Sequence, residues 1–397
     1  MRYGHICHIL AAPTADGTSE QDQERTGHQS FVLKYITPPH IINGSKSEEG
    51  HIRKLLSYQV ELAFYTHLAP LLPPYIAVAS CHASLNSSEG MAAKLQSSNG
   101  TAESDFEFKT AMLLTDLRPA FPVAGEKRAT LTETQVHAAL EWLAGFHGFW
   151  WDRVRGGGDG LLDRSKLVRP PLQHLEEQGE VIVKVAESER AARVWLYGGY
   201  TYLATRQSEY GNLCEEGTEW SEALCQPLEG LDLSVAELVA QALAPKTKSD
   251  GKVGMSEYET LIHGDVKSEN LFTNKKGDKV AFFDFQYVGL GFGVCDLAKL
   301  FTCSVPRSML GKNEQARLSM GTGEERLLRC YIEEIRRVSG RVYDWEVFVR
   351  HWETALVDWL RFQASWGFWG NTEWLEGRVR SILHNPEWLT WLRKSTL

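Results

Sequence analysis

Apolar residues follow two rhythms along this chain, short runs of β-type character and longer stretches at helical spacing. Residues 5–10 and 29–35 read as strands, joined by a polar, glycine-containing hairpin loop over 13–28. From 52 to 68 the apolar positions Leu55, Leu56, Val60, Ala63 and Phe64 recur at helical spacing, with Glu61 inside the same helix. Two further strands are expected at 75–80 and 106–114. The Ser-, Gly-, Asn- and Ala-rich segment 83–105 reads as a disordered surface insertion. Thr132 and Gln135 form a capping-box pattern ahead of a helix whose apolar face is Val136, Ala139, Leu140, Leu143 and Phe146; the glycine run 156–160 ends it. Residues 172–243 read as mainly helical, and the run GGYTYLATR at 198–206 carries no assignable chemistry. Asp344 is placed to cap a long helix bearing Trp345, Trp352, Trp359 and Trp366. At 100° per residue a seven-residue step drifts by only about 20°, so the four indoles form one stripe. Such a stripe serves either as core or as a wall for a flat or cationic ligand. If aromatics here touch a ligand, Phe368, Trp369 and Trp374 beyond Gly367 are the better candidates.

The densest chemistry lies in residues 261–300. Apolar runs at 259–262, 271–273 and 279–283 read as strands, the last two joined by a turn at 274–278. Polar residues therefore sit where strands end, and a rigid scaffold can present them. The loop offers Asp265, Lys267 and Asn270, and the strand after the hairpin ends on Asp284. Phosphoryl transfer needs a carboxylate for the acceptor's hydroxyl proton, hard oxygen ligands for Mg²⁺, and positive charge for the phosphoryl oxygens. Asp265 suits the first role, Asn270 and Asp284 the second, and Lys267 the third. Turn chemistry alone could account for any one of HGD or DFQ, but not readily for this ordered set around a hairpin. Upstream, Lys34 lies on the second strand and Glu61 on the helix that follows. This is the arrangement in which a lysine is held against nucleotide phosphates by an ion pair.

HGDVKSEN at 263–270 and DFQ at 284–286 resemble the aminoglycoside phosphotransferase and choline kinase branch of the protein-kinase-like superfamily. With ELAFY at 61–65, the resemblance is closest to the ecdysteroid-kinase-like (CHK) group. FHGFW at 146–150 is similar to a further segment of that superfamily, within which His147 reads as a packed structural histidine. The resemblance implies an α/β (α+β) two-lobed kinase-like fold, with a small antiparallel-sheet N-lobe over residues 1–115 and a mainly helical C-lobe over 116–397. It makes Asp265 the catalytic base, Asn270 and Asp284 the metal ligands, and Asp296 a buried acid bracing the catalytic loop. It also places a hinge that meets the adenine edge at Leu114 and Asp116. ATP and Mg²⁺ are the implied cofactors. Only 11 residues separate Asp284 from Asp296, and no APE follows, so a long peptide-docking segment has no room. GLGFG at 289–293 lacks dinucleotide-binding spacing and reads as close backbone packing. FDFQYVGLGFGVCDLAKLF also departs from the acidic, aromatic-rich signature of a strict choline kinase. The expected acceptor is thus a hydroxyl-bearing small molecule.

Composition narrows the alternatives. The net charge of −9 and the absence of clustered Lys and Arg argue against a nucleic-acid partner. No run of 18 uncharged apolar residues suggests a bilayer span. Seven scattered cysteines without CxxC spacing, and no secretory leader pattern, make a reducing, cytoplasmic setting the expectation. Because the first strand-like run begins at Gly4, a preceding strand and a glycine-rich turn over the phosphates are expected to be lacking, through missing upstream residues or real loss. Weak Mg·ATP binding would follow. The rival expectation is a nucleotide-binding pseudokinase or scaffold without turnover.

Overall fold

Four antiparallel strands open the fold: β1 (Gly4–Ala11), β2 (Gln29–Ile36), β3 (Cys81–Asn86) and β4 (Thr110–Thr115), in the order β1-β2-β4-β3. The computed structural model describes residues 4–11, 29–37, 48–86, 110–154, 162, 164–173, 193–245, 256–311 and 315–396. The expected loop at 13–28, the glycine run at 156–160 and most of the insertion expected at 83–105 lie outside them. The register sets Lys34 of β2 opposite Ile6 on β1 and Met112 on β4. Helix α1 (Glu48–Ala63) follows β2 and closes with a π-helical turn at Phe64–Leu68 and a 3₁₀ turn at Ala69–Leu71.

Two expectations are corrected here. Residues 75–80 form no strand: their only backbone bond to the sheet among those described is from Thr115 N of β4 to Ser80 O at 2.9 Å, while the Ala77 carbonyl accepts from the Trp142 indole at 3.0 Å. Instead β3 starts at Cys81 and runs into the segment whose composition suggested an insertion from residue 83 onward. Pairing with β4, from Cys81 opposite Leu114 to Asn86 opposite Thr110, overrides local composition.

Beyond the sheet the chain is mostly helical. The elements are β5 (Val123–Ala124), α2 (Glu133–Arg153), α3 (Gln207–Glu215), α4 (Glu219–Cys225), α5 (Val235–Ala242), β6 (Thr260–Ile262), β7 (Leu271–Thr273), β8 (Val280–Phe282) and β9 (Gly289–Gly291). Then come α6 (Gly293–Cys303), α7 (Arg307–Leu310), α8 (Thr322–Ser339), α9 (Trp345–Trp366), α10 (Thr372–Leu383) and α11 (Pro386–Thr396). Strands β5, β7 and β8 make one small sheet, while β6 pairs with β9. The capping box of α2 forms as its sequence demands, with Gln135 N donating to Thr132 Oγ1 and Thr132 N to Gln135 Oε1.

Aromatic packing ties α1 to the segment that carries Asp284. The Phe64 ring stacks on Phe285 at a centroid distance of 3.8 Å, and Trp142 and Phe146 of α2 close over the same ring. Each such buried ring contributes about 1.5–3 kcal/mol, so the segment carrying Asp284 is anchored from both sides. Among the described residues no helix is long and apolar enough to cross a membrane.

Candidate active site

The loop after β6 is held in shape by α6. At Gly264 the backbone φ is +82°, and a Cβ there would come within 2.2 Å of the Tyr287 carbonyl, so only glycine fits. Asp296, in the first turn of α6, accepts from His263 N at 2.7 Å and Gly264 N at 2.8 Å. His147 then bridges outward, with Nε2 3.1 Å from Asp296 and Nδ1 2.7 Å from the Tyr331 hydroxyl. The packed histidine of the sequence reading is thus also a strut behind the loop. Gly289 and Gly293 let neighbouring backbone and the His147 and Tyr331 side chains approach within distances a Cβ would forbid, which is the close packing expected of GLGFG.

Asp265 projects from this braced loop into a cluster of donors. Asn270 Nδ2 donates to its Oδ2 at 2.9 Å and to its backbone carbonyl at 2.8 Å, and Lys267 Nζ lies 3.2 Å from Oδ2. Lys299, from α6, donates to Oδ1. Burial pushes the Asp265 carboxyl up, but the charges of Lys299 and Lys267 outweigh it and hold the group well below the usual carboxylate range. Burial also pulls Lys267 down; Asp265 and Glu269, the latter 3.1 Å away, more than compensate and raise it. His263 is lowered chiefly by burial.

A second cluster forms where β2, α1 and the segment after β8 meet. Lys34 Nζ is 2.6 Å from Glu61 Oε2 and 3.3 Å from Asp284 Oδ1. Burial would lower the Lys34 pKa, yet the two carboxylates raise it above its ordinary value. Glu61 is pushed up to about 7, mainly by burial and further by Asp284, against the pull of Lys34. Asp284 adopts φ +66°, a left-handed conformation unusual for a residue with a Cβ and found preferentially where the surroundings over-determine a functional position. Phe283 N donates to Asn270 O at 3.0 Å, stitching the two clusters together.

Six of the predicted residues thus converge in two adjoining groups. Leu114 and Asp116 stand apart, at the end of β4. Asp116 binds Arg118 through Nε at 2.9 Å and Nη2 at 2.8 Å, accepts from Ser30 Oγ at 2.5 Å, and donates its backbone N–H to Ser30 O. The Arg118 bonds, foremost, hold its carboxyl well below the usual range.

The donor set fits a hard divalent cation. With its nitrogen committed to Asp265, Asn270 has its amide oxygen to offer, and Asp284 supplies a partly exposed carboxylate. Among the described residues no three His, Cys, Asp or Glu side chains converge as metal ligands. Mg²⁺ takes one or two protein oxygens and completes its octahedron from phosphates and water, a demand that Asn270 and Asp284 could meet.

Three features escaped the sequence reading. Lys299 touches Asp265 directly; its signal was a lone cation three residues after Asp296 in an otherwise apolar helix, and so on the same helix face. The unassigned run 198–206 lines the loop, with Tyr200 N donating to Gly264 O at 2.9 Å and Gly199 N to Tyr287 O at 3.0 Å. The indole stripe of α9 divides: Trp352 is core and donates to Glu324, Trp359 is buried beside Lys299, and Trp366 is 54% exposed. Trp374 is core, Phe368 is exposed, and Trp369 donates to the Cys303 sulfur at 3.2 Å.

The family described as the phosphotransferase enzyme family (APH) matches residues 23–331. Solved structures match the chain at low identity. An aminoglycoside-3′-phosphotransferase of type VIII is 11% identical, with 88% of this chain and 93% of that one covered and a TM-score of 0.36. A choline/ethanolamine kinase family protein from Mesorhizobium loti is 10% identical over 93% and 89%, with a TM-score of 0.37. An ethanolamine kinase from Plasmodium vivax is 12% identical over 97% and 84%, with a TM-score of 0.38. No curated protein matches the sequence.

Proposed function

Because this chain belongs to the phosphotransferase enzyme family, we propose that it moves the γ-phosphoryl group of ATP to a hydroxyl of a small-molecule acceptor. The observation that carries this reading is the convergence on Asp265: a carboxylate held ionised by lysines and bonded to Asn270, with Asp284 one backbone hydrogen bond away. In this role Asp265 takes the acceptor's hydroxyl proton; each carboxylate oxygen has two lone pairs, so its present partners leave it able to accept another bond. Lys267 meets charge developing on the transferred group. Lys34, fixed by Glu61, contacts the nucleotide phosphates, and Asn270 and Asp284 would hold Mg²⁺, which supplies charge neutralisation there.

We assign residues 1–115 to a nucleotide-binding lobe, with the strand end at Leu114 and Asp116 meeting the adenine edge, and 116–397 to a catalytic and acceptor-binding lobe. A CHK-type, ecdysteroid-kinase-like placement is supported by HGDVKSEN, DFQ and ELAFY. The ELAFY run sets Glu61 on Lys34 and Phe64 on Phe285. A small acceptor rather than a protein is supported by the 11 residues between Asp284 and Asp296, which supply β9 and the start of α6 and no docking segment. The test is an ATP-consumption screen across hydroxylated metabolite classes, run with the parent and with Asp265→Asn. Acceptor-dependent ADP formation that vanishes in the variant is expected. Tight Mg·ATP binding with no turnover on any acceptor would overturn the reading in favour of a scaffold.

A further inference from the structure

Two of the protein's own cations lie against aromatic rings beside Asp265. Lys299 Nζ, on a side chain only 5% exposed, donates to Asp265 Oδ1 and lies 4.9 Å from the centre of the Tyr200 ring and 5.2 Å from that of Trp359. The Arg206 guanidinium lies 3.8 Å from the Tyr200 ring, 5.3 Å from Phe362 and 5.5 Å from Trp366. A further cation brought to these rings must overcome the repulsion of those already there. Nearby carboxylates among the described residues already face cations or N–H donors. Asp358 binds Arg361 at 2.8 Å, Glu209 binds Arg206 at 2.9 Å and Arg53 at 3.0 Å, and Asp296 is held by two backbone N–H groups and His147.

We infer that Lys299 is a specificity-determining residue that excludes acceptors with an ammonium group close to the reacting hydroxyl, so that the substrates are uncharged or acidic alcohols and not amino alcohols. This rests on the phosphotransfer reading, because it takes Asp265 as the point at which the acceptor hydroxyl arrives. An ammonium near that hydroxyl would meet Lys299 at short range in a site shielded from water. Lys267, 3.2 Å from Asp265 Oδ2, adds a second cation on the same carboxylate, so the discrimination is by repulsion. An uncharged acceptor meets no such penalty. Buried as it is, Lys299 does not need to bind an acidic acceptor directly to tolerate one.

The test uses the full chain and a panel of hydroxylated scaffolds, each prepared as amine, uncharged and carboxylate derivatives, with Mg·ATP. The parent is expected to show kcat/KM for amines at least about tenfold below that for the uncharged members, as like charges a few ångströms apart require. Lys299→Met, close in volume, is expected to close that gap by about tenfold, while Lys299→Arg, which keeps the charge, retains it. Preference of the parent for amines, or equal discrimination in the parent and Lys299→Met, would overturn the inference. If no panel member is phosphorylated although Mg·ATP binds, the phosphotransfer reading fails. Equilibrium binding of the same panel then decides the charge inference separately, and tighter binding of amines than of uncharged members overturns it. Should Lys299→Met not fold, Lys299→Gln, which also lacks the charge, takes its place, and discrimination equal to the parent's would overturn the inference.

Discussion

Asp265 carries four side-chain relationships at once, to Lys299, Lys267, Asn270 and, through its backbone N–H, His263. Removing its charge has two consequences with different readouts. Loss of a general base costs about 10²- to 10⁴-fold in rate. Loss of an ion-pair partner leaves Lys299 buried, and breaking one side of such a pair costs about 3 kcal/mol or more. Asp265→Asn is therefore expected to bind Mg·ATP like the parent, turn over at least a hundredfold more slowly, and unfold at lower denaturant. Parent-like turnover would sink the base assignment. Asp284→Ala should fail earlier in the cycle, losing Mg²⁺-dependent nucleotide binding; a Mg²⁺ titration identical to the parent's would remove Asp284 from the metal site. Glu61 gives a pH signature. Its carboxyl sits above its ordinary value in the fold, at about 7. Its contribution to stability is thus fully present below the unfolded-state value and is lost as pH rises through about 7. Compared with Glu61→Gln, which cannot titrate, the parent should lose ground in melting temperature between pH 5 and pH 8. A constant difference over that window would refute the elevated value.

Among the elements, the loop after β6 and helix α6 act as one unit, because Asp296 accepts from two consecutive backbone N–H groups of the loop. Gly264 is where that unit is least tolerant. A Cβ would collide with the Tyr287 carbonyl in a backbone conformation that side chains already disfavour. Gly264→Ala is expected to shift Asp265 and abolish transfer while leaving the Lys34–Glu61 end, and so nucleotide binding, largely intact. Equal loss of both would show that the two clusters move together through the Phe283–Asn270 bond. Helix α2, by contrast, depends on a local device. Thr132→Ala removes its cap and is expected to cost about 1 kcal/mol of stability with turnover unchanged, measurable by denaturant melts.

At the scale of the whole molecule, α1 is the connector. Its first turn carries Glu49, which accepts from Gln207 N and Ser208 N at 2.9 Å each and from Ser208 Oγ at 2.6 Å, capping the start of α3. Arg53 adds bonds to Thr205 O and Glu209, and beyond the last turn Phe64 stacks on Phe285. Glu61 is thereby held in place between the sheet and the segment that carries Asp284. Glu49→Ala removes an anion from the start of α3 and frees one end of α1. The expected result is a severalfold weaker Mg·ATP affinity, measured by calorimetry, with single-turnover transfer from the bound complex unchanged. Unaltered affinity would mean that the Phe64 contact alone positions α1.

Much of this protein was legible in its sequence wherever the physics is local. The capping box at Thr132, the cap at Asp344, the hairpin of β7 and β8, and the ordered run from His263 to Asp284 depend on residues a few positions apart, so composition and spacing determine them. The family match extends that legibility to the type of reaction. Tertiary structure decided the rest. Strand β3 exists because β4 offers it a paired edge, against the reading of its own composition, and residues 75–80, whose Ala77 carbonyl accepts from Trp142, form no strand. Lys299, Tyr200 and Arg206 lie far apart in sequence from one another or from Asp265, and only packing of α6, α9 and the run 198–206 around one loop brings them together. Local sequence sets which conformations a segment can adopt. Which charge faces which ring is set by contacts between segments, and in this chain those contacts surround the atom on which the reaction is proposed to turn.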